Sequence, residues 1–262
     1  MTDTDGTAPG DERISKSERV LDALLRLIAR ADAAGETRLP NERELAEQIG
    51  TGRPAIREGL SKLESLQMLM PRQGSGLYIV PPHRRSPEAL VLTEHATPLP
   101  ESAVNEAMAV RALLETEVVR LATLHREREC LHRMEVEIER LEANIGLGHD
   151  AALADQEFHR AMAAASGNGT LARFVDLFLR MSWRRRLQYF ANAQRSRRSV
   201  DEHRLLLAAI RSGDSERARA AIEIHLGSAE RFWAAAAAKD EAGRPGDQHD
   251  QRAASRSINA PR

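Results

Sequence analysis

The sequence is short of several things, and each shortage narrows its reading. It holds one cysteine, Cys130, among 262 residues. No disulfide can form within the chain, and a reducing compartment suits it. Aromatic residues make up only 3% of the composition, so the core is expected to be aliphatic. No apolar run approaches the ~20 residues of a membrane span, and the start "MTDTDGTAPGDER" lacks the basic and apolar regions of a signal peptide. The expectation is a soluble, cytoplasmic protein with no membrane partner. A formal net charge of -1 gives no global attraction to nucleic acid or an anionic surface, so any such partner must be met by a local patch.

What is abundant is alanine, leucine, arginine and glutamate, a helix-forming mixture. Residues 1–13 and 239–262 are polar and aperiodic and are expected to be disordered tails. Five prolines in "PPHRRSPEALVLTEHATPLP" mark a linker over 81–101, between a short module at 14–80 and a larger one at 102–238.

In the first module Val20, Leu24, Leu27, Ile28 and Ala31 recur at helical spacing. "NERELAEQIG" opens a second helix, with Asn41 as N-cap and Glu44 three places on in a capping box. "TGRPAIREGLSKLESLQM" is a third, with Pro54 in its first turn and a stripe of Ile56, Leu60, Leu63 and Leu66. "LMPRQGSGLYIV" then reads as a hairpin. Helix, helix, turn, helix and hairpin define a winged helix-turn-helix. The second module reads as six helices, over 102–126, 128–146, 150–165, 168–192, 197–212 and 215–238, joined by short breaks that favour an antiparallel bundle. The fold class is therefore mainly α.

Arg53 and Arg57 stand one turn apart at the start of the third helix, so both can face one groove of a duplex, where an arginine can bond two acceptors of guanine. Arg43 on the preceding helix is placed to reach a phosphate or base edge. Over 53–72 the charges are Arg53, Arg57, Lys62 and Arg72 against Glu58 and Glu64, a local positive excess. The stretch "LPNERELAEQIGTGRPAIREGLSKLESLQMLMPRQGSGLYIV" resembles the DNA-binding domain of the GntR family of bacterial transcriptional regulators. That resemblance implies a homodimer on a short palindromic operator, contacts from Arg43, Arg53 and Arg57, and a wing tip near Gln73 and Gly74 in the minor groove. Two departures stand out. Gly52 replaces the usual serine or threonine cap, and Gly59 replaces alanine at a helix-propensity cost of up to ~1 kcal/mol.

In the helical module, Asp155, Phe158, His159 and Met162 share one helix face. His203, with Leu207 and Ile210 following at helical spacing, and His225, among Ala218, Ile222 and Ala229, also point inward on their helices. Buried imidazoles need partners. From spacing alone, separately satisfied core histidines and one shared cation both remain open. "DQEFHRAMAAASGN", "DEHRLLLAAIRSGD" and "IEIHL" are similar to motifs of the FadR-like, or FCD, subgroup, whose ligand-binding domain holds a divalent metal with an aspartate and three histidines. The resemblance implies Asp155, His159, His203 and His225 as ligands. Mixed ligation suits zinc, nickel or manganese, and open positions suit a small organic-acid effector. Arg111 resembles the arginine at which relatives hold an acidic effector. Its plainer alternative is an exposed pair with Glu115, one turn on. "SWRRRLQYFANAQRSRR" carries six arginines and no acid, which suits an anion-attracting rim or a second DNA contact, and a solvated face with some dimer contacts is the first reading.

The expected function is a metabolite-responsive regulator, a repressor in the usual family outcome. A metal-dependent hydrolase and a purely structural metal are the alternatives.

Overall fold

The computed structural model describes residues 15–97 and 101–243. The tail expected at 1–13 lies outside them, as does that at 239–262 from residue 244 on. The chain divides into two compact units, the first holding residues up to Leu114 together with Asn168–Gln188, the second holding Glu115–Gly167 and the chain from Tyr189 onward.

The first unit begins with helix α1 (Lys16–Ala34). Ser15 and Glu18 close a reciprocal capping box at its start, and Gly35 ends it in the left-handed conformation at φ 71°. Helix α2 (Glu42–Ile49) has the expected box between Asn41 and Glu44 and also stops at a left-handed glycine, Gly50. Helix α3 (Arg53–Ser65) starts behind Gly52, which offers no side-chain cap. Leu24, Ile28, Leu45, Ile56, Leu63 and Met68 interlock in a buried core among these helices.

Gly59 has a packing reason. A Cβ at this position would lie 2.7 Å from Cδ1 of the buried Leu24, so the bare backbone lets α3 approach α1 closely. The lost helix propensity is exchanged for that contact. Strands β1 (Leu69–Arg72) and β2 (Gly76–Ile79) pair antiparallel, Leu69 opposite Ile79 and Arg72 opposite Gly76. The turn between them carries Gly74 at φ 72°. A bridge from Arg38 to Tyr78 ties the wing to the segment before α2.

The proline-marked stretch expected as a linker carries helix α4 (Pro87–Ala96), with Pro87 in the first turn, where its missing N–H costs nothing. Ala89 belongs to the winged-helix core and Leu92 and Ala96 pack against it, while Val91 joins Val104 and Met181 in a second cluster. That cluster draws on α5 (Glu101–His125) and α8 (Gly169–Met181). Arg85 ties the approach to α4, donating from Nε to the Val80 carbonyl and from Nη2 to Asp32, each at 2.7 Å.

The second unit is built from the end of α5 with α6 (Arg128–Ala143), α7 (His149–Ala165), α10 (Ala193–Ser212) and α11 (Ser215–Gly243). Helix α6 packs on α7 and α10, and α10 on α11. Met134, Leu141, Phe158, Met162 and Leu206 are fully buried between them. On the rim, Arg211 makes a two-bonded pair with Glu135 and Arg204 reaches Glu142, both from α10 to α6.

The single helix expected over 168–192 is two, α8 and α9 (Trp183–Phe190), broken at Ser182. Asn192 caps the next helix by accepting from the amides of Gln194 and Arg195, so α10 starts before the expected 197. An asparagine inside an arginine-rich stretch is easily read as a solvated helix residue, and its capping role depends on the local turn. Helix α11 likewise runs past the expected 238. Among the described residues no helix is long and apolar enough to cross a membrane.

Candidate metal centre and DNA-reading face

The residues expected to read DNA all lie on the exposed side of the first unit. Arg43 projects from α2, Arg53 and Arg57 from the first two turns of α3, and Gln73 and Gly74 form the exposed wing tip. Glu42, which sequence reading passed over, organises two of them. Nε of Arg57 donates to Oε2 of Glu42 at 2.7 Å, and Nη2 of Arg53 stands 3.7 Å from the same oxygen. Arg43 instead approaches Glu47, at 4.0 Å. In the wing the Arg72 guanidinium stacks over Tyr78, 4.1 Å from the ring centre, while the Tyr78 hydroxyl and Ser75 Oγ share a hydrogen bond. These contacts stiffen the turn that presents Gln73.

The inward residues of the helical module meet in the second unit. Helical spacing puts Asp155 and His159 on one face of α7, and packing brings His203 from α10 and His225 from α11 against it. All four are buried, and one donor atom from each lies within 4.8 Å of the other three. Nε2 of His159 is 3.1 Å from Nε2 of His225, which is 3.4 Å from Nε2 of His203. Oδ1 of Asp155 is 3.3 Å from Nε2 of His203 and 3.8 Å from that of His159. Donors about 2.1 Å from one ion are about 3.0 Å apart at right angles and about 3.4 Å apart at the tetrahedral angle. The separations of 3.1, 3.3 and 3.4 Å fall in that range, and the 3.8 Å between Asp155 and His159 corresponds to a wider angle at the ion.

The outer faces of the rings explain why the inner nitrogens point together. Nδ1 of His225 donates to Oε2 of Glu202 at 3.0 Å, and Nδ1 of His159 lies 3.0 Å from Oε2 of the fully buried Glu115. His203 is stacked on Phe158, with ring centres 3.8 Å apart and planes at 11°. A carboxylate beside Nδ1 holds the proton there and leaves a lone pair on Nε2. Two such lone pairs at 3.1 Å repel unless a cation sits between them or one ring takes a second proton. The donor set therefore fits a divalent ion and could hold one.

Glu202 is anionic in this setting. Burial would raise its carboxyl, but hydrogen bonds from His225, Ser228 and Arg198 outweigh burial and hold it at about 2. Arg198 belongs to the arginine-rich stretch, so one of those six side chains does specific work next to the centre. Neither Glu115 nor Glu202 was picked out as part of the centre from the sequence. The available signals were Glu202 immediately before His203, and Glu115 in an apolar setting.

The exposed pair considered for Arg111 and Glu115 is corrected, since both are buried, at 5% and 0% exposure. Cys130 is partly buried, and desolvation first, then Glu127, pushes its thiol up to about 11, which makes it a poor nucleophile.

A winged helix with arginines at the head of its third helix, carried with an all-helical module, defines a DNA-binding transcriptional regulator as a class. Residues 16–79 match the family described as bacterial regulatory proteins, gntR family, and residues 106–228 match the FCD domain. The Uxu operon transcriptional regulator of Escherichia coli is 30% identical over 204 residues, covering 72% of this chain and 75% of the relative. The putative L-lactate dehydrogenase operon regulatory protein of Escherichia coli is 27% identical over 217 residues, covering 80% and 83%. A solved structure described as Lar, which controls expression of the Listeria monocytogenes agr system, superposes with a TM-score of 0.59 at 14% identity, covering 82% of this chain and 94% of that one, a likeness of fold. The chain belongs to the GntR family, with an FCD domain as its helical module. It is a transcriptional regulator, and its relatives are regulators rather than enzymes.

Proposed function

We propose that this regulator is a metabolite-responsive repressor. It binds a short palindromic operator as a homodimer through Arg43, Arg53, Arg57 and the Gln73–Gly74 wing tip. Its helical module holds a divalent ion, zinc, nickel or manganese, on Asp155, His159, His203 and His225. The observation that carries the metal reading is the buried convergence of three imidazole Nε2 atoms and one carboxylate oxygen. A homodimer is supported by the large apolar side chains Leu113 and Phe174, exposed at 73% and 51% in the first unit.

The effector class follows from the donor set. One aspartate and three neutral histidines leave a divalent ion with a net positive charge and coordination positions for an oxygen ligand. Bound there, the ion supplies Lewis-acid affinity for a small carboxylate. The chain's own contribution is to bury the site and fix the donors. Arg111, a buried guanidinium on α5, is assigned to effector binding, since its planar fork matches a carboxylate with two parallel hydrogen bonds. The kinship with a relative named for an L-lactate dehydrogenase operon is consistent with a hydroxy acid or related carboxylate. A coupling of about 1 to 3 kcal/mol between effector and operator would change DNA affinity roughly 5- to 150-fold.

The test is a thermal-shift screen of small carboxylates, with and without chelator, followed by operator titration. Stabilisation by one acid that disappears with chelator, together with weakened operator binding, is the expected result. Stabilisation that ignores chelator would sink the metal-linked reading. Turnover of the acid would restore the hydrolase alternative.

A further inference from the structure

Two carboxylates outside the expected ligand set stand behind the centre, Glu115 and Glu202. Glu115 comes from α5 and Glu202 from α10, so they reach the ligands from different helices. Each stands 3.0 Å from the outer nitrogen of one ligand ring, Glu202 in a hydrogen bond with His225 Nδ1 and Glu115 in an ion-pair contact with His159 Nδ1. Neither is a surface accident, with Glu115 fully buried and Glu202 at 7% exposure. Burying a carboxylate is costly unless the group is paired, so both are held here by specific contacts.

Glu202 is the more elaborate of the two. Its Oε2 accepts from His225, while its Oε1 accepts from Ser228 Oγ at 2.7 Å and from Arg198 Nε at 2.8 Å. Arg231 in turn donates to Ser228 Oγ at 3.2 Å. Two donors besides the ring thus fix the carboxylate. His203 is oriented differently, by stacking on Phe158.

We infer that Glu115 and Glu202 are positioning residues of the centre, holding His159 and His225 in the Nδ1–H tautomer so that both Nε2 lone pairs face the ion. This deepens the metal reading above and rests on it for the affinity it predicts, but the tautomers are a property of the chain itself. A carboxylate at Nδ1 also makes Nε2 a stronger donor. Arg198 and Ser228 act one step further out, by keeping the Glu202 carboxylate in place.

Two measurements on the full-length protein test this. In the metal-free protein, long-range nitrogen–proton NMR of the imidazoles should report His159 and His225 as Nδ1–H tautomers. Either ring found protonated on Nε2 alone would overturn the inference whether or not metal binds. Zinc, titrated against a chromogenic competitor, should bind Glu202→Gln and Glu115→Gln about 10- to 100-fold more weakly than the unaltered protein. Arg198→Ala should weaken it by less, because Ser228 still holds the carboxylate. Both glutamine variants keep the shape of the side chain, and their melting without metal shows whether they fold. Folded variants that bind zinc as the unaltered protein does would overturn the inference while leaving the metal reading intact. An unaltered protein that takes up neither zinc, nickel nor manganese would sink the metal reading, with the tautomers still deciding this one.

Discussion

Arg53 and Arg57 on α3, and Asp155 and His159 on α7, are two pairs with the same four-residue spacing and opposite fates. The arginine side chains are 59% and 63% exposed, while those of Asp155 and His159 are 3% and 0% exposed. Spacing put each pair on one helix face, but the partners differ. Around the arginines the counter-charge is a single half-exposed carboxylate, Glu42, in water. Around Asp155 and His159 the partners are buried side chains, Glu115 3.0 Å from His159, His203 3.3 Å from Asp155 and His225 3.1 Å from His159. The first arrangement is cheap to open, as the proposed exchange of a carboxylate for a phosphate or a guanine edge would require. The second is assembled before any ligand arrives, and loses much if one member goes.

The largest effect is expected in the centre. His203→Ala should abolish stoichiometric zinc binding and with it the metal-dependent rise in melting temperature, worth about 4 kcal/mol when metal is a thousandfold above its dissociation constant. Calorimetry with and without chelator reads this directly. The contrast breaks if the variant keeps the full metal-dependent shift.

Next in size, Arg57→Ala should lose about 1 to 3 kcal/mol of discrimination at one operator base pair, measured against a panel of singly altered operators. Its melting should move by no more than about 0.5 kcal/mol, as befits an exposed side chain. An equal loss on every operator would make Arg57 a phosphate contact instead.

Gly74→Val at the wing tip should cost about 1 to 2 kcal/mol of stability, because a β-branched residue is strained at the φ of 72° found there. Denaturant unfolding measures it, and an unchanged midpoint would mean that the turn rearranges freely.

The smallest effect is expected from Glu42→Gln, which removes the charge that gathers Arg53 and Arg57. Exposed pairs of this kind are worth about 0 to 1 kcal/mol. A stability loss above about 2 kcal/mol would show that the exposed arginine cluster behaves like the buried centre, and would erase the distinction between the two regions.

Much of the architecture was legible because it is written in local signals. Asn41 with Glu44, Gly35 and Gly50 mark helix ends through hydrogen bonds and left-handed backbone that involve only near neighbours. The break at Ser182 and the cap at Asn192 were missed because an arginine-rich run keeps helical propensity high on both sides. Helix α4 hid behind its prolines, since Pro87 reads as a breaker yet sits in a first turn.

The sequence by itself determined the types and faces of the donors, Asp155 and His159 one turn apart and His203 and His225 each on an apolar stripe, because side-chain direction repeats with the local period of the helix. Tertiary structure alone decided that these faces bring His225 Nε2 to 3.1 and 3.4 Å from the Nε2 atoms of His159 and His203, that Glu115 stands behind His159 and Glu202 behind His225, and that Glu42 gathers Arg53 and Arg57. Those are distances between helices, set by how Phe158, Met162, Leu206 and their neighbours pack, and no periodicity within one helix encodes them.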